Sequence, residues 1–528
     1  MKKLIFLTLF FPLFSCNDWL QVESEISVTY RNYFQNEQDV EKIYITMLGT
    51  ERKIFSPSSL NALNFAAMYC DYTSRELELF RTLDPNVYET SAGKNSIQWR
   101  NYYHIIYLAN MLEENRHRFM NVTEERADYW IAQANFLKGL MYFEIARRWG
   151  EAPIAPSTED ATALAKSPVD TVLAYAIRAA EKALILPTHD KLTDSKGTKV
   201  YSRQYASIGT VRTLLANIYA WMGGLYGEEK YWEKAEQEAS LVINGKAGNY
   251  NLVSLKELVE NTLSSKRDVT EVIYAMELNE QDDERFWQGW FNESCEGLHF
   301  LNYPYTTTDP KKIETNNYLT RIKVSTIEKL YQKTDLRRKE YWYRLGDTIH
   351  IPVYDEELEK NTFEVFQPTF AYINKWREPV YSVNPGINAG TPEGRFLILM
   401  DGNSIYWRLA DLILLRAECR AHLGRTDAVN DLNRIRERAG LLKYNGSTEK
   451  EVLLKEIFDE RDRELFGETC RYYDIVRNGY YRDLLKGNYK TLTDEDVKNG
   501  ALYLPVGSGA FNKNTLMKQN TYWSWYLK

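Results

Sequence analysis

Apolar residues recur every three or four positions along several stretches of the chain, with polar residues between them. The clearest case is the segment 125–149, ERADYWIAQANFLKGLMYFEIARRW, whose apolar positions are Trp130, Ala134, Leu137, Met141, Ile145 and Trp149. This spacing predicts an amphipathic helix. Gly150 and Pro153 follow the segment and predict that the helix ends there.

A second helix is predicted directly afterwards, at PVDTVLAYAIRAAEKAL, where Pro168 suits a first turn and Asp170 lies near the positive end of the helix dipole. Two more helix pairs share this pattern: YASIGTVRTLLANIYAWM with KYWEKAEQEASLVI, and YWRLADLILLRAECRAHLG with TDAVNDLNRIRERAG. Small residues occupy the positions where paired helices must approach closely, at Ala216, Ala235, Ala239, Ala417 and Ala428. The repetition predicts a mostly α fold with a frame of tetratricopeptide-like helical hairpins.

The helical period fades between residues 244 and 404. This stretch contains RFWQGWFNESCEGLHFLNYPYTTTDP and FQPTFAYINKW, which are rich in aromatic residues, Asn, Thr and Pro. The alternating run DTIHIPVY predicts a short strand of a small hairpin. Long irregular segments inside a folded domain usually carry function when they are ordered. We therefore expect a large loop-rich insertion with short strands, carried by the helical frame.

The amino terminus reads MKKLIFLTLFFPLFSC, an apolar run of signal-peptide length that is too short to span a membrane. Its end resembles the lipobox of bacterial lipoproteins, although Phe14 stands where that pattern prefers a smaller residue. Cys16 is the predicted lipidation site, and a plain secreted protein is the alternative. The predicted organisation is a signal peptide over 1–15, a lipidated tether over 16–36, a helical repeat region over 37–243, the insertion over 244–404 and a C-terminal helical region over 405–528.

Composition narrows the function classes. The 528-residue chain has a net charge of −7 and 26% charged residues, which disfavours nucleic acid as a partner. It lacks the H-E-x-x-H, G-x-S-x-G, P-loop and G-x-G-x-x-G motifs, so neither a cofactor nor a metal site is predicted. Four further cysteines, Cys70, Cys295, Cys419 and Cys470, leave one or two disulfides open. By contrast 38 Tyr and 13 Trp supply many flat side chains with a polar edge.

One charged run, ERDRELFGETCRYYDIVR, admits two interpretations. Glu464 and Asp474 could serve as the acid and base of a glycoside hydrolase, which needs two carboxylates across an open cleft. Arginines stand three or four positions from these carboxylates, as expected for a structural ion-pair ladder along one helical face. We favour the ladder, in which Arg471 pairs with Glu468 and Asp474.

Several segments together resemble the SusD/RagB family: WRNYYHIIYLAN, NFLKGLMYFEIARRWGEAPI, LLRAECRAHLGRTDAVNDLNRIRERAGL, EIFDERDRELFGETCRYYDIVRNG, and LYLPVG with KQNTYW. The resemblance covers nearly the whole mature chain. It implies a lipid-anchored outer-membrane protein, facing the cell exterior, that captures oligosaccharide and caps a TonB-dependent transporter resembling SusC. It implies no catalysis.

A glycan site needs flat aromatic rings beside polar groups that bind hydroxyls. Two stretches provide this mixture, and the candidate ligand residues are Asp71, Arg81 and Tyr88 in the first and Trp287, Trp290, Asn292 and Tyr303 in the second. Two alternatives remain open. A surface glycoside hydrolase would use carboxylates near the second stretch, at Asp282, Asp283, Glu284 and Glu293. A repeat scaffold would bind only protein or peptide.

Overall fold

The structure is a computed structural model that describes residues 33–55, 62–159, 162–277, 303–305, 309–315, 320–357, 359–381, 397–401, 403–468 and 471–527. Helices dominate these residues and confirm the mostly α prediction. They are α1 Glu37–Phe55, α2 Ala62–Ala66, α3 Arg75–Arg81, α4 Ser91–Ser96, α5 Arg100–Glu114, α6 Glu124–Trp149, α7 Val169–Lys182, α8 Ile208–Tyr226, α9 Glu229–Ile243, α10 Leu255–Glu257, α11 Pro310–Glu314, α12 Val324–Leu330, α13 Arg337–Tyr341, α14 Leu409–His422, α15 Ala428–Arg438, α16 Lys450–Glu464, α17 Arg471–Arg477, α18 Tyr481–Leu484, α19 Asp494–Lys498 and α20 Thr521–Ser524. None of the described helices is both long and apolar enough to cross a membrane.

The helices of each predicted hairpin pack against each other: α6 with α7, α8 with α9, and α14 with α15. Local chemistry sets their ends. The Thr123 hydroxyl caps α6 by accepting the backbone N–H of Arg126 at 3.3 Å, and Gly150 ends the helix at a positive φ of 75°. At Gly139 a Cβ atom would lie 3.0 Å from the carbonyl oxygen of Ala176, so glycine allows α7 to approach α6 this closely.

The carboxyl-terminal segment packs back onto the first hairpin. Trp149, at the end of α6, is buried, and its indole Nε1–H donates to the carbonyl of Pro505 at 3.1 Å. The Asn520 side-chain amide donates to the carbonyls of Trp149 at 3.1 Å and Leu504 at 3.0 Å. The two bonds that involve Trp149 join residues more than 350 positions apart in sequence, so the carboxyl-terminal segment shares one core with the first hairpin.

In the described residues, short strands form two-stranded antiparallel pairs: β1 Val272–Met276 with β8 Ser404–Arg408, β2 Trp342–Tyr343 with β5 Tyr372–Ile373, β3 Ile349–Asp355 with β4 Lys360–Phe366, and β6 Glu378–Tyr381 with β7 Leu397–Asp401. The strand predicted from DTIHIPVY is confirmed as β3. Because β1 pairs with β8, the insertion leaves and re-enters the helical frame at one place.

A buried ionic network joins the insertion to the frame. Its cations are Arg337, Lys375, Arg408 and Arg438, and its anions are Glu271, Asp335, Glu460, Glu464 and Glu468. Arg408 shows how it spans elements, because its guanidinium contacts Glu271 at 2.9 Å beside β1 and Glu464 at 2.8 Å in α16. Breaking such a pair on one side leaves a buried charge without compensation, so each member depends on the others.

Candidate functional site

The loop before α3 lies directly against the insertion. The backbone N–H groups of Asp71 and Tyr72 both donate to the carbonyl of Arg321 at 3.0 Å, and the Arg321 N–H donates back to Tyr72 at 2.8 Å. The Asp71 carboxylate accepts from the backbone N–H of Lys323 at 2.7 Å and from the Thr326 hydroxyl at 3.2 Å. The structure thus brings one predicted ligand stretch onto the insertion, and the contacts of Asp71 position the start of α12.

An exposed aromatic and cationic surface results from this contact. Tyr72 is 46% exposed, and its ring meets the ring of Phe370 edge-on with centroids 5.9 Å apart. The Arg321 guanidinium carbon lies 5.5 Å from the Tyr72 centroid and 5.2 Å from that of Phe370. Lys323 Nζ lies 5.4 Å from the Tyr72 centroid. We call these four residues, Tyr72, Arg321, Lys323 and Phe370, the Tyr72 surface.

A carboxylate behind this surface fixes Phe370. Glu314 accepts the backbone N–H groups of Thr369 at 3.0 Å and Phe370 at 3.1 Å, and the Tyr372 hydroxyl at 2.9 Å. Burial raises the pKa of Glu314, and these donors oppose that shift. The Arg321 Nη1–H donates to the carbonyl of Glu314 at 3.2 Å. Hydrogen bonds with Glu314 therefore fix Phe370 and Arg321 in the Tyr72 surface.

Tyr303 lies in a second, smaller core within the insertion. Only 8% of the residue is exposed, and its ring packs on Tyr372 with centroids 5.1 Å apart and on Tyr343 with centroids 5.6 Å apart. Tyr343 in turn lines an open cleft of about 620 Å³ together with charged side chains such as Arg344 and Arg377. The ring of Tyr303 supports the wall of this cleft, and its burial argues against direct stacking on a ligand.

Arg81 and Tyr88 lie in the core, and their burial argues against the direct ligand contact predicted for them. Arg81 is 3% exposed and donates to the Glu78 carboxylate at 2.7 Å and to the carbonyl of Cys70 at 3.0 Å. Tyr88 is 7% exposed and meets the ring of Trp523 edge-on at 5.1 Å. The short helix α3 turns Arg81 inward, and packing of the carboxyl terminus covers Tyr88.

Trp287, Trp290 and Asn292 lie outside the described residues, as do Cys16 and the carboxylates Asp282, Asp283, Glu284 and Glu293. Their roles stay predictions.

Glu464 and Asp474 are buried and bound by arginines. Glu464 contacts Arg438 at 2.5 Å and Arg408 at 2.8 Å. Burial alone would raise the pKa of Glu464, but the surrounding arginines more than offset this and lower it to about 2. Asp474 contacts Arg461 at 3.0 Å and Arg477 at 2.6 Å, and these charges lower its pKa against the effect of burial. Both carboxylates are buried and each is bound by arginines, as expected of a structural role.

The single-face ladder predicted for this run is wrong in its geometry. The chain turns after α16, with Gly467 at a positive φ of 80°, so the charges lie on two helices. The Arg471 guanidinium makes two 2.9 Å contacts with Asp462 and donates to the carbonyl of Ala67 at 2.8 Å. Glu468 instead pairs with Arg408 and Lys375.

Sequence reasoning did not select the four residues of the Tyr72 surface. Tyr72 lies inside the stretch that supplied Asp71, Arg81 and Tyr88. Arg321, Lys323 and Phe370 carry no local motif, and their contacts with Tyr72 join positions about 250 to 300 residues apart.

Comparison with known proteins agrees with this architecture. A model of the SusD family matches residues 274–523, and a model described as starch-binding, associating with the outer membrane, matches residues 18–208. The chain belongs to the SusD/RagB family. Among SusD-like relatives, SusD-like protein P25 of Formosa agariphila is 23% identical and aligns over 92% of this chain and 90% of its own length.

SusD structures share the fold. A SusD homolog from Bacteroides thetaiotaomicron superposes with a TM-score of 0.70 at 22% identity, covering 93% of this chain and 99% of that one. NanU of B. fragilis superposes with a TM-score of 0.62 at 17% identity, covering 94% of this chain and 99% of that one. These likenesses confirm the helical frame and the short strands of a loop-rich region.

Proposed function

We propose that this SusD-like protein is a surface-exposed outer-membrane lipoprotein that binds oligosaccharide and delivers it to a SusC-like, TonB-dependent transporter. One observation carries the ligand part of the proposal. The loop before α3 and the insertion meet at an exposed surface of aromatic rings and cations. One of the family models that match the chain is described as starch-binding and associating with the outer membrane. Aromatic rings pack against sugar C–H groups, and the adjoining donors bind hydroxyls.

The ligand site in this proposal consists of the Tyr72 surface, with Asp71 positioning it from below. Trp287, Trp290 and Asn292 are proposed to extend it, because the chain that contains them re-enters the described part at Tyr303, beside the rings that pack near Phe370. A stacked aromatic contributes on the order of 1 kcal/mol beyond the area it buries, so several together give a useful affinity.

A binding role fits the carboxylates of this surface better than hydrolysis does. Asp71 and Glu314, the described carboxylates that contact its residues, accept backbone N–H groups and are committed to the fold. General acid and base catalysis of glycoside hydrolysis needs two carboxylates that flank the scissile bond. We therefore propose that the protein captures glycan without cleaving it.

Anchoring through Cys16 is a separate part of the proposal, supported by the signal-peptide pattern and by the outer-membrane association of the family model. Acyl chains on Cys16 would hold the protein at the membrane, since each buried methylene contributes about 0.8 kcal/mol. Cys16→Ala should move the protein from the membrane fraction to the soluble fraction. Equal membrane retention of the variant would contradict the anchor.

We infer the transporter partner from the resemblance to the SusD family, and we propose that the helical frame contacts it. Co-purification from detergent-solubilised outer membranes tests this part, with a large β-barrel protein expected to accompany the SusD-like chain.

Ligand capture is tested by screening the purified protein on a broad glycan array and then incubating it with each glycan bound. We expect binding without new reducing ends. If a bound glycan is hydrolysed and carboxylate variants abolish this hydrolysis, the glycoside hydrolase alternative is favoured.

A further inference from the structure

We propose that the Tyr72 surface selects an acidic oligosaccharide, one that carries a carboxylate or a sulfate group. This inference rests on the proposed function, because it names the ligand class of the same site. It is based on the charges around Tyr72: two cations surround an exposed ring, and the nearby carboxylates are turned to other partners.

The described hydrogen bonds and ring contacts of the two cations are made to neutral groups. Among the described residues, Lys323 Nζ forms no ion pair and lies 5.4 Å from the Tyr72 centroid. Arg321 bonds through Nη1 to a neutral carbonyl, that of Glu314 at 3.2 Å. Neither cation forms an ion pair with a described carboxylate, in contrast to the buried arginines of the ionic network.

The acidic groups that contact this surface are oriented inward. The Asp71 carboxylate accepts the Lys323 N–H and the Thr326 hydroxyl, and Glu314 accepts two backbone N–H groups and the Tyr372 hydroxyl. Arg75 and Glu76, the next charged residues after the loop, are both exposed, and their charges cancel. Asp71 and Glu314 balance the two cations in charge, but their described hydrogen bonds are made to donors of the fold, so Arg321 and Lys323 are the charged groups of this surface without a described ion pair.

This arrangement distinguishes an acidic sugar from a neutral one. A neutral sugar offers the two cations only hydroxyl groups, whereas a carboxylate or sulfate adds a charge opposite to theirs and strengthens the hydrogen bonds. A guanidinium also matches planar and tetrahedral oxyanions with two parallel N–H groups. Arg321 and Lys323 would bind the acid group while Tyr72 packs on the adjoining ring.

The test uses pairs of oligosaccharides that differ only in the acid group. One pair is a galacturonic acid hexasaccharide and its carboxyl-reduced form, and the other is a chondroitin sulfate hexasaccharide and its desulfated form. Isothermal titration is carried out on the wild-type protein, on Arg321→Gln and Lys323→Gln, and on Lys329→Gln. Lys329 is an exposed residue of α12 that forms no described ion pair, so its variant carries the same charge change away from the ring.

We expect the acidic member of at least one pair to bind about tenfold or more tightly than its neutral counterpart. Arg321→Gln and Lys323→Gln should each weaken that binding by about tenfold, and Lys329→Gln should leave it unchanged. Added salt should weaken binding of the acidic member only. Lys323→Gln removes no bond of the fold, so it keeps the test valid if Arg321→Gln is unstable.

Three results would overturn the inference. If the neutral members bind as tightly as the acidic ones or more tightly, and Tyr72→Ala still abolishes that binding, the acidic ligand is refuted and the proposed function stands. Acidic binding that all three charge variants weaken equally would reflect net charge alone. If neither pair binds and no glycan of a broad array binds, both the inference and the proposed function are contradicted.

Discussion

The buried ionic network and the Tyr72 surface are both built from cations beside aromatic rings, yet they differ in how the cations are used. In the network, Arg408 is fully buried and contacts Glu271, Glu464 and Glu468. At the Tyr72 surface, Lys323 has no described ion pair and lies over a ring that is 46% exposed. The cations of the network are paired with carboxylates of the fold. At the proposed ligand surface, Lys323 has no such partner among the described residues.

The largest effect is expected from breaking the network. Arg408→Met keeps most of the side-chain volume but leaves three buried carboxylates short of a partner, so the free energy of unfolding should fall by about 3 to 5 kcal/mol. Urea unfolding measures this. Arg482→Met is the matched control, since Arg482 pairs with the exposed Asp494 and donates to the carbonyl of Leu492 at 2.8 Å, and its loss should cost only about 1 kcal/mol. A stable Arg408→Met protein would show that the network does not hold the fold.

A buried carboxyl with neutral hydrogen-bond partners sharpens the contrast with Glu464. Glu51 is fully buried and accepts from the Tyr274 hydroxyl at 2.6 Å and the Gln204 amide at 2.9 Å. Burial raises its pKa from 4.5 to about 7. The folded state therefore holds this proton more tightly than the unfolded state, and the contribution to stability is lost as the pH rises from about 4.5 to about 7.

Glu51→Gln should remove this loss. At about pH 8 the variant should be more stable than wild type by up to about 3 kcal/mol, and at about pH 4 the difference should nearly vanish. Urea unfolding at both pH values measures it. Glu464 behaves oppositely, because its pKa is lowered to about 2 and its contribution is lost as the pH falls. A Glu51→Gln protein less stable than wild type at about pH 8 would mean that the ionised carboxylate is well compensated.

The smallest effect is expected at Tyr88, a predicted ligand contact that the structure places in the core. Tyr88→Phe keeps the ring that meets Trp523, so the free energy of unfolding should change by less than about 1 kcal/mol. Glycan affinity should not change. A clear loss of affinity in titration would return Tyr88 to the ligand site.

The helical frame was predictable because its signal is local. The 3.6-residue period over 125–149 and the capping residues around it defined α6 to within one residue, as Glu124–Trp149. The insertion was predictable as a region where this period stops. The partners of Arg471 could not be predicted, because the sequence pattern assumed one continuous helix. A turn at Gly467 instead separates Arg471 from the helix that carries its partner Asp462.

The Tyr72 surface, the proposed ligand site, was only partly predictable for the same reason. Composition pointed to the stretch that contains Tyr72, but a loop and a seven-residue helix have too short a period to show which side chains face outward. Asp71, Arg81 and Tyr88 were selected by chemistry, and the fold uses all three internally. The residues that complete the surface come from the insertion, and only long-range packing brings them to Tyr72.

The most direct test of the account is a paired measurement on two variants, Tyr72→Ala and Arg408→Met, with the glycan first identified by screening. Each variant is titrated with that glycan and melted under the same conditions. Tyr72→Ala should bind about tenfold more weakly with a nearly unchanged melting temperature, since its ring is half exposed. Arg408→Met should melt at a lower temperature and keep its affinity while folded. A Tyr72→Ala protein that melts early and binds with wild-type affinity would contradict the account, because the ring would then belong to the fold and the ligand site would lie elsewhere.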